Sequence, residues 1–351
     1  MSESNPSEPY DRKSPAPQDE RAGAERTRLH RGGRAKGAAA LALIGTIAAL
    51  TAGCGRDPVN GVTDTITAGA WPFGAAVDAS AGAVYVANYE DSTVSVVDAD
   101  TNKVTATITV GANPNALTVD TETGAVYVTN SFDNTVSVVD TATNAVTDTI
   151  TSGKGPWALV VDASTGALYV ANSLENAVSV IDTATNAVTD TITVAAFPFG
   201  LAVDASEGVV YVANSDGTVS VVDTATNQVT DTMTVGQSPT GMAVDTETGT
   251  VYVANYDDGT VSVVDTDTNE VTATIRVGSA PFGLAVDESA GAVYVTNTRD
   301  GTVSVIDTET NEVTATIAVG ANPNALAVDT KTGALYVTNS ADGTVCVLRA
   351  S

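Results

Sequence analysis

The sequence predicts an all-β protein, a seven-bladed β-propeller made of four-stranded antiparallel blades. The main observation is the phrase Tyr-Val-(Ala/Thr)-Asn, which recurs at intervals of 42 residues, once of 41. A fixed period of about 40 residues in a chain of short strands is typical of propellers. The apolar content, mostly Val, Ala and Ile, suits short stacked strands. The phrase begins seven times, at Tyr85, Tyr127, Tyr169, Tyr211, Tyr252, Tyr294 and Tyr336.

Each repeat divides into four strands, A to D, for example at residues 116–120, 125–130, 135–140 and 145–150. Strands B and C are β-branched runs that are apolar on both faces, as expected when a blade lies between two neighbours. Asp-Gly in four of the B–C loops predicts tight primed turns. A charged residue within an outer strand guards against edge-to-edge aggregation. Four D strands carry one, at Asp64, Asp148, Asp190 and Asp231.

Ring closure follows from the strand count. Residues 62–66 read Val-Thr-Asp-Thr-Ile, which elsewhere ends a repeat as strand D. After the last strand C, at residues 344–348, no strand D follows. We therefore expect residues 62–66 to complete the last blade, which leaves no exposed seam.

The N-terminal part predicts a secretory signal. Residues 1–53 comprise a polar segment, a basic stretch and an apolar run over 37–52 that ends in Leu-Thr-Ala-Gly before Cys54. The run is short for a membrane span, and small residues before a cleavage point are typical of a signal peptide. The ending resembles a bacterial lipobox, although Thr51 stands where Leu is usual. Lipidation of Cys54 is favoured; a plain signal peptide and an uncleaved anchor remain alternatives. Residues 54–61 would form a tether and 62–351 the propeller.

Charge and composition exclude several function classes. The formal net charge is −27, and after Cys54 there are seven basic and thirty-six acidic residues. Such a surface repels nucleic acid. The single histidine, His30, precedes Cys54, so a mature chain would have no His base, triad or His-ligated metal. Two cysteines in the whole chain give no disulfide framework.

The repeat unit Pro-x-Gly-x-Ala-Val-Asp, Tyr-Val-Thr-Asn, Val-Ser-Val-(Val/Ile)-Asp and Asn-x-Val-Thr-x-Thr-Ile resembles the YVTN β-propeller repeat. The resemblance covers roughly residues 62–351. It implies a surface-layer-like, secreted or periplasmic propeller. Propellers host many unrelated activities, so the resemblance predicts the fold more strongly than the function.

Aromatic residues collect in the D–A loops, around the repeated proline. Strand direction places the D–A and B–C loops on one face of the disc, which we call the mouth face. Two interpretations stay open: the aromatics close the channel, or they form a binding crown for a peptide or sugar. The candidate crown comprises Trp71, Phe73, Asn115, Trp157, Phe197, Phe199, Phe282 and Asn324.

The opposite face carries an aspartate at the end of every strand A. The residues that follow favour Asx turns, in which the carboxylate accepts backbone N–H groups. A ring of carboxylates is also a weak candidate for a hard cation such as Ca²⁺; no other cofactor is expected. The seven residues are Asp78, Asp120, Asp162, Asp204, Asp245, Asp287 and Asp329.

These observations favour an extracytoplasmic, lipid-anchored interaction module that binds a protein, peptide or glycan at the cell envelope. No catalytic motif appears, so an enzyme is not expected. The alternatives are an Asp-dependent metal hydrolase or lyase, and a surface-layer-like coat protein. Near-identical repeats favour a broad contact surface over a single catalytic centre: residues 110–116 and 319–325 share the same seven letters.

Overall fold

The computed structural model describes residues 58–349. The predicted signal segment and Cys54 lie outside this range. The described residues form seven four-stranded antiparallel sheets, and each sheet is one blade. No helix within this range has the length and apolar character needed to cross a bilayer.

Strand A is the innermost strand of each blade and runs from the repeated proline to the repeated aspartate. The seven A strands are β2 (Pro72–Asp78), β6 (Pro114–Asp120), β10 (Pro156–Asp162), β14 (Pro198–Asp204), β18 (Pro239–Asp245), β22 (Pro281–Asp287) and β26 (Pro323–Asp329). Strand B ends at the asparagine of the repeated phrase. The B strands are β3 (Ala83–Asn88), β7 (Ala125–Asn130), β11 (Ala167–Asn172), β15 (Val209–Asn214), β19 (Thr250–Asn255), β23 (Ala292–Asn297) and β27 (Ala334–Asn339).

Strand C lies between B and the outer strand. The C strands are β4 (Thr93–Asp98), β8 (Thr135–Asp140), β12 (Ala177–Asp182), β16 (Thr218–Asp223), β20 (Thr260–Asp265), β24 (Thr302–Asp307) and β28 (Thr344–Arg349). Strand D is the outer edge. The D strands are β5 (Lys103–Thr109), β9 (Ala145–Thr151), β13 (Ala187–Thr193), β17 (Gln228–Thr234), β21 (Glu270–Arg276), β25 (Glu312–Ala318) and β1 (Gly61–Thr67). Blades 1 to 7 take the order of their A strands. Two 3₁₀ helices occupy loops, Glu288–Ala290 and Ser340–Asp342.

The ring closes as predicted. Strand β1 pairs antiparallel with β28, and Ile66 lies opposite Val345 in the register. The register shift in this pair recurs in the other C–D pairs, so β1 serves as the fourth strand of blade 7. Upstream, Val59 is 2% exposed and packs with Tyr294 and Leu348 between blades 6 and 7. The Val59 N–H donates to the Tyr294 hydroxyl at 3.1 Å.

The core consists of apolar layers between neighbouring blades. Between blades 1 and 2, for example, Tyr85 and Val94 pack against Val126 and Val128. The seven repeated tyrosines are at most 1% exposed. The Tyr127 hydroxyl donates to the Thr183 carbonyl of the next blade at 3.4 Å. Each blade therefore contributes one of its two faces to each of the apolar layers beside it.

The outer aspartates also connect blades. Asp64 accepts a hydrogen bond from the Asn102 side chain of blade 1 at 2.9 Å, and Asp148 accepts one from Asn186 at 3.0 Å. The hydrogen bond from Asn102 lowers the pKa of the Asp64 carboxyl. These asparagines occupy the left-handed region, with φ 54° and 55°. Beyond guarding the edge, the aspartates thus tie adjacent blades together.

The expected primed Asp-Gly turns are not present. The B–C loops contain four residues, or three in blade 4, and their final residue alone has positive φ, as at Gly217 (φ 89°) and Gly259 (φ 64°). A primed type I′ turn needs positive φ at both central residues. The aspartate instead reaches a neighbouring loop: Asp258 accepts from the Gln237 N–H at 2.7 Å.

Removing residues 58–67 tests the closure. Without β1, blade 7 has an exposed edge, and the burial of Val59 and Ile66 is lost. We expect the free energy of unfolding to fall by at least about 3 kcal/mol, since each buried aliphatic side chain contributes about 1.5–3 kcal/mol. Urea unfolding followed by circular dichroism measures this. The control is a chain shortened only through Arg56; equal midpoints for the two shortened chains would contradict the closure.

The buried tyrosines predict alkaline unfolding. Burial raises the pKa of Tyr169, Tyr211 and Tyr252 to about 12, from an ordinary value of 10.0. Because the folded pKa lies above the unfolded one, this contribution to stability is complete below pH 10 and is lost as pH rises through about 12. Tyrosinate absorbance should rise together with the loss of circular dichroism. Tyr169→Phe should shift the transition to higher pH; full ionisation with the fold intact would refute the assignment.

Candidate functional site

The mouth face is built by the residue that follows each repeated proline. This residue is the second of strand A and lies near the axis, so side chains from different blades meet there. The seven positions are Phe73, Asn115, Trp157, Phe199, Thr240, Phe282 and Asn324. Because successive strands alternate in direction, the D–A loops lie beside the B–C loops. The Ala70 N–H of one such loop donates to Asp91 of the other at 2.7 Å.

Four aromatic side chains contact one another across the mouth, and we call them the ring cluster: Phe73, Trp157, Phe199 and Phe282. The centroid of Phe73 lies 5.7 Å from that of Trp157 and 5.6 Å from that of Phe282. Trp157 and Phe199 are 4.7 Å apart, and Phe199 and Phe282 are 6.4 Å apart. Each ring is partly exposed. The cluster therefore covers the channel and also presents aromatic surface to solvent.

Below the ring cluster lies a cavity of about 170 Å³, bounded by the rings and the first residues of the inner strands. Its wall is mostly apolar, with Leu201, Met242 and Leu284. Asn115 lines it, is 0% exposed, and its amide nitrogen has no protein partner.

Two members of the predicted crown are not exposed. Asn115 is 0% and Asn324 6% exposed. The Asn324 amide donates to Ser340 Oγ at 2.8 Å, and Asn115 Oδ1 accepts from Ser131 Oγ at 3.4 Å. A short amide side chain at this position turns to its own B–C loop, whereas a large ring projects over the channel. These two crown residues are therefore buried beside their own B–C loops and add no exposed amide surface to the mouth face.

Two other crown members lie outside the ring cluster. Trp71 and Phe197 precede the proline, have φ of 56° and 50°, and are 38% and 49% exposed. Two exposed side chains that the crown prediction omitted accompany them on the mouth face: Phe132 is 76% and Leu174 64% exposed. Both are the second residue of a four-residue B–C loop. The sequence could have identified these two residues, because an apolar residue at a loop tip has no packing partner within the repeat.

The aspartates at the ends of the A strands hold their own turns. Asp78 Oδ1 accepts hydrogen bonds from the Ser80 and Ala81 N–H groups at 3.0 and 2.9 Å. All seven are at most 4% exposed. Within residues 58–349, no three acidic, histidine or cysteine side chains are grouped so that they could hold a metal ion. The geometry favours the Asx-turn interpretation, and Ca²⁺ binding stays a prediction.

The aspartates at the C–D turns have the same role. Asp98 accepts from Thr101 Oγ1 at 2.6 Å and from the Thr101 N–H at 2.8 Å. These bonds, the threonine side-chain bond foremost, lower the pKa of Asp98. The threonine side chain does the same for Asp140, Asp182 and Asp307. Their charge is thus fixed on the face opposite the mouth.

Comparisons with known proteins agree on the fold class. The YNCE-like beta-propeller family model matches residues 116–207, and the model "Lactonase, 7-bladed beta-propeller" matches residues 182–277. A search of curated proteins found no match. Among solved structures, a chain of Kuenenia stuttgartiensis hydrazine synthase superimposes with a TM-score of 0.75 at 18% identity, covering 88% of this chain and 99% of that chain. At this identity the likeness concerns the fold. The protein is a seven-bladed β-propeller, similar in sequence to these two propeller families.

Proposed function

We propose that the chain is a binding propeller that contacts a protein, peptide or glycan partner of the cell envelope through its mouth face. One observation carries the proposal. Among residues 58–349, the exposed large apolar side chains other than valine are Trp71, Phe132, Leu174 and Phe197, and all four lie on the mouth face. The exposed valines all lie on the outer D strands, of which β1 is one.

The ring cluster extends this apolar surface towards the axis. Large aromatic side chains are enriched among the residues that dominate binding energy at interfaces. They also offer flat apolar faces to sugars and peptides. The net charge of −27 makes nucleic acid an unfavourable partner. The opposite face presents turn carboxylates already bonded to their own loops.

The proposed location is extracytoplasmic, with a lipid on Cys54 holding the propeller to a membrane. The basis is the apolar run over 37–52 and the small residues before Cys54. Residues 55–57 then leave only a short connection to Val59, which is fixed between blades 6 and 7.

An enzymatic role is the second candidate, because the lactonase family model matches residues 182–277. Purified protein should be offered a panel of lactones of different ring size, with and without divalent cations. Hydrolysis that is lost when a mouth-face residue is changed would replace the binding proposal with a hydrolase. Ordered lattices of purified protein on membranes would instead support a coat protein.

Changing Cys54 to serine tests the anchor. Cys54→Ser should move the protein from the membrane fraction to the soluble fraction, because the thiol that would carry the lipid is gone. Cys346→Ser is the matched control: it restores the residue found at this position in the other six repeats, and should leave fractionation unchanged. Membrane association of Cys54→Ser at the mass of the uncleaved chain would indicate an uncleaved anchor.

Truncating two rings tests the binding face. Phe73→Ala with Trp157→Ala removes ring contacts each worth about 0.5–1.5 kcal/mol, so we expect a modest loss of stability. Binding to partners found on peptide and glycan arrays should weaken at least tenfold, since truncation of a dominant interface residue costs about 2 kcal/mol or more.

Val146→Ala provides the control, because Val146 is 38% exposed on an outer strand. It should leave binding unchanged. If the double ring variant loses stability and keeps its affinity, the rings only close the channel.

A further inference from the structure

Three departures from the repeat coincide in the sector of blades 4 to 6. Thr240 of blade 5 occupies the position that carries Phe199 in blade 4 and Phe282 in blade 6. The B–C loop of blade 4 has three residues instead of four. The B–C loops of blades 5 and 6 contain Tyr256 and Arg299. Together these changes leave an opening between the rings of Phe199 and Phe282, beside a loop that is one residue shorter than in the other blades.

The opening is a notch of about 330 Å³, which we call the blade-5 notch. Its walls are the rings of Phe199, Phe282 and Tyr256, and the Tyr256 and Phe282 centroids are 6.4 Å apart. Thr240 lies at its base, and its hydroxyl already donates to backbone carbonyls, with the Pro281 oxygen at 3.2 Å. The notch thus has aromatic walls and a base whose hydroxyl proton is already engaged within the protein.

Two serine hydroxyls at the notch favour a ligand with O–H donors. Ser215 Oγ donates to the Ala196 carbonyl at 3.3 Å, and Ser238 Oγ donates to Asp257 Oδ2 at 2.5 Å. A serine hydroxyl has one proton to donate and two lone pairs that accept. With the protons engaged, both oxygens remain available as acceptors. A pyranose supplies hydroxyl donors together with apolar C–H faces that stack on rings.

Two arginines adjoin the notch. Arg299 Cζ lies 5.3 Å from the centroid of the Tyr256 ring. A second cavity, of about 320 Å³, shares Tyr256 with the notch and is lined by Arg276 and Arg299 together with Asp257, Asp258 and Asp300. Both arginines are exposed. In the described part of the chain, Lys154 and Glu175 form an ion pair at 3.7 Å, while Arg276 and Arg299 form none.

The carboxylates near these arginines have other partners. Asp258 accepts the Gln237 N–H at 2.7 Å, and Asp300 accepts the Ser279 N–H at 2.6 Å. The planar guanidinium of Arg299 therefore keeps its donors for an external carboxylate, which it can bind through two parallel hydrogen bonds. Since three aspartates line the same cavity, recognition of a carboxylate here depends on its direct contact with the guanidinium of Arg299.

We propose that the blade-5 notch binds a hexuronate unit, a pyranose that carries a carboxylate, with its ring against Phe282 and Tyr256 and its carboxylate on Arg299. This proposal rests on the proposed function, because it names the ligand class for one part of the mouth face. The hydroxyls of the sugar donate to Ser215 and Ser238. Arg276 lines the adjoining cavity, where it would contact the carboxylate of the next unit of an acidic glycan.

The test compares D-glucuronate with D-glucose on the purified full chain, by saturation-transfer NMR and calorimetry. Glucuronate should bind at least fivefold more tightly than glucose, which lacks the carboxylate. Arg299→Gln should abolish this preference and leave the weak binding of glucose. Lys331→Gln makes the same charge change in the A–B loop of the opposite face, and should keep the preference.

A second variant fills the notch. Thr240→Phe introduces the residue that three other blades carry at this position, so we expect it to fold and to bind neither sugar. Equal affinity of wild type for glucose and glucuronate, or a preference that survives Arg299→Gln, would overturn the assignment. So would the absence of any glucuronate binding up to about 10 mM, a concentration tenfold above a Kd of about 1 mM.

The outcomes separate the two proposals. If glucuronate fails while array partners still depend on Phe73 and Trp157, the hexuronate assignment is wrong and the binding face stands. If the arrays show no partner that depends on those rings, the proposed function fails, whatever the notch binds.

Discussion

Burial between blades is the interaction on which the rest of the structure depends. Strands B and C are apolar on both faces, so an isolated blade would expose two layers of valine and tyrosine to water. Val84, Val86 and their equivalents reach 0% exposure only because a neighbouring blade covers them, which for these two is blade 7. A row of such blades would still leave two open layers at its ends. The ring removes both ends, and β1 makes the closing blade complete by pairing with β28.

Close packing at the axis then determines what the mouth face contains. A Cβ atom at Gly200 would overlap the carbonyl oxygen of Thr240 in the next blade. Hydroxyls bridge the same gap elsewhere: Thr338 Oγ1 donates to the Phe73 carbonyl of blade 1 at 2.7 Å. The inner strands are therefore fixed relative to each other, and one residue per blade projects over the channel. Four rings placed there must meet.

Features that depend on local pattern could be predicted from the sequence. The period, the β-branched runs and the turn residues are local information, and they located strands B and C at the residues where the structure has them. Closure followed because the strand count left one D strand at the N-terminal end. The sorting of loops to two faces needed only the alternation of strand direction.

Features that depend on distances between blades could not be predicted. Phe73 and Trp157 belong to blades 1 and 3, which are not neighbours. Their rings meet across blade 2 because its residue at this position, Asn115, has a short side chain that is buried beside its own B–C loop. The bond between Asn102 and Asp64 joins residues 38 apart, across a blade boundary that no single repeat contains. The blade-5 notch likewise appears only when a missing loop residue, Thr240 and Tyr256 are seen as neighbours.

Within this chain, differences between repeats therefore carry more information about function than the repeats themselves. The aspartate that ends strand A is present in all seven blades, because each blade needs the same turn. The residue after the proline is Phe in three blades, Asn in two, Trp in one and Thr in one, although it is the second residue of strand A in every blade. Since the fold does not require different residues at this position, these differences can serve ligand recognition. Blades 4 to 6 concentrate them, and these blades place three aromatic rings beside an arginine that forms no ion pair.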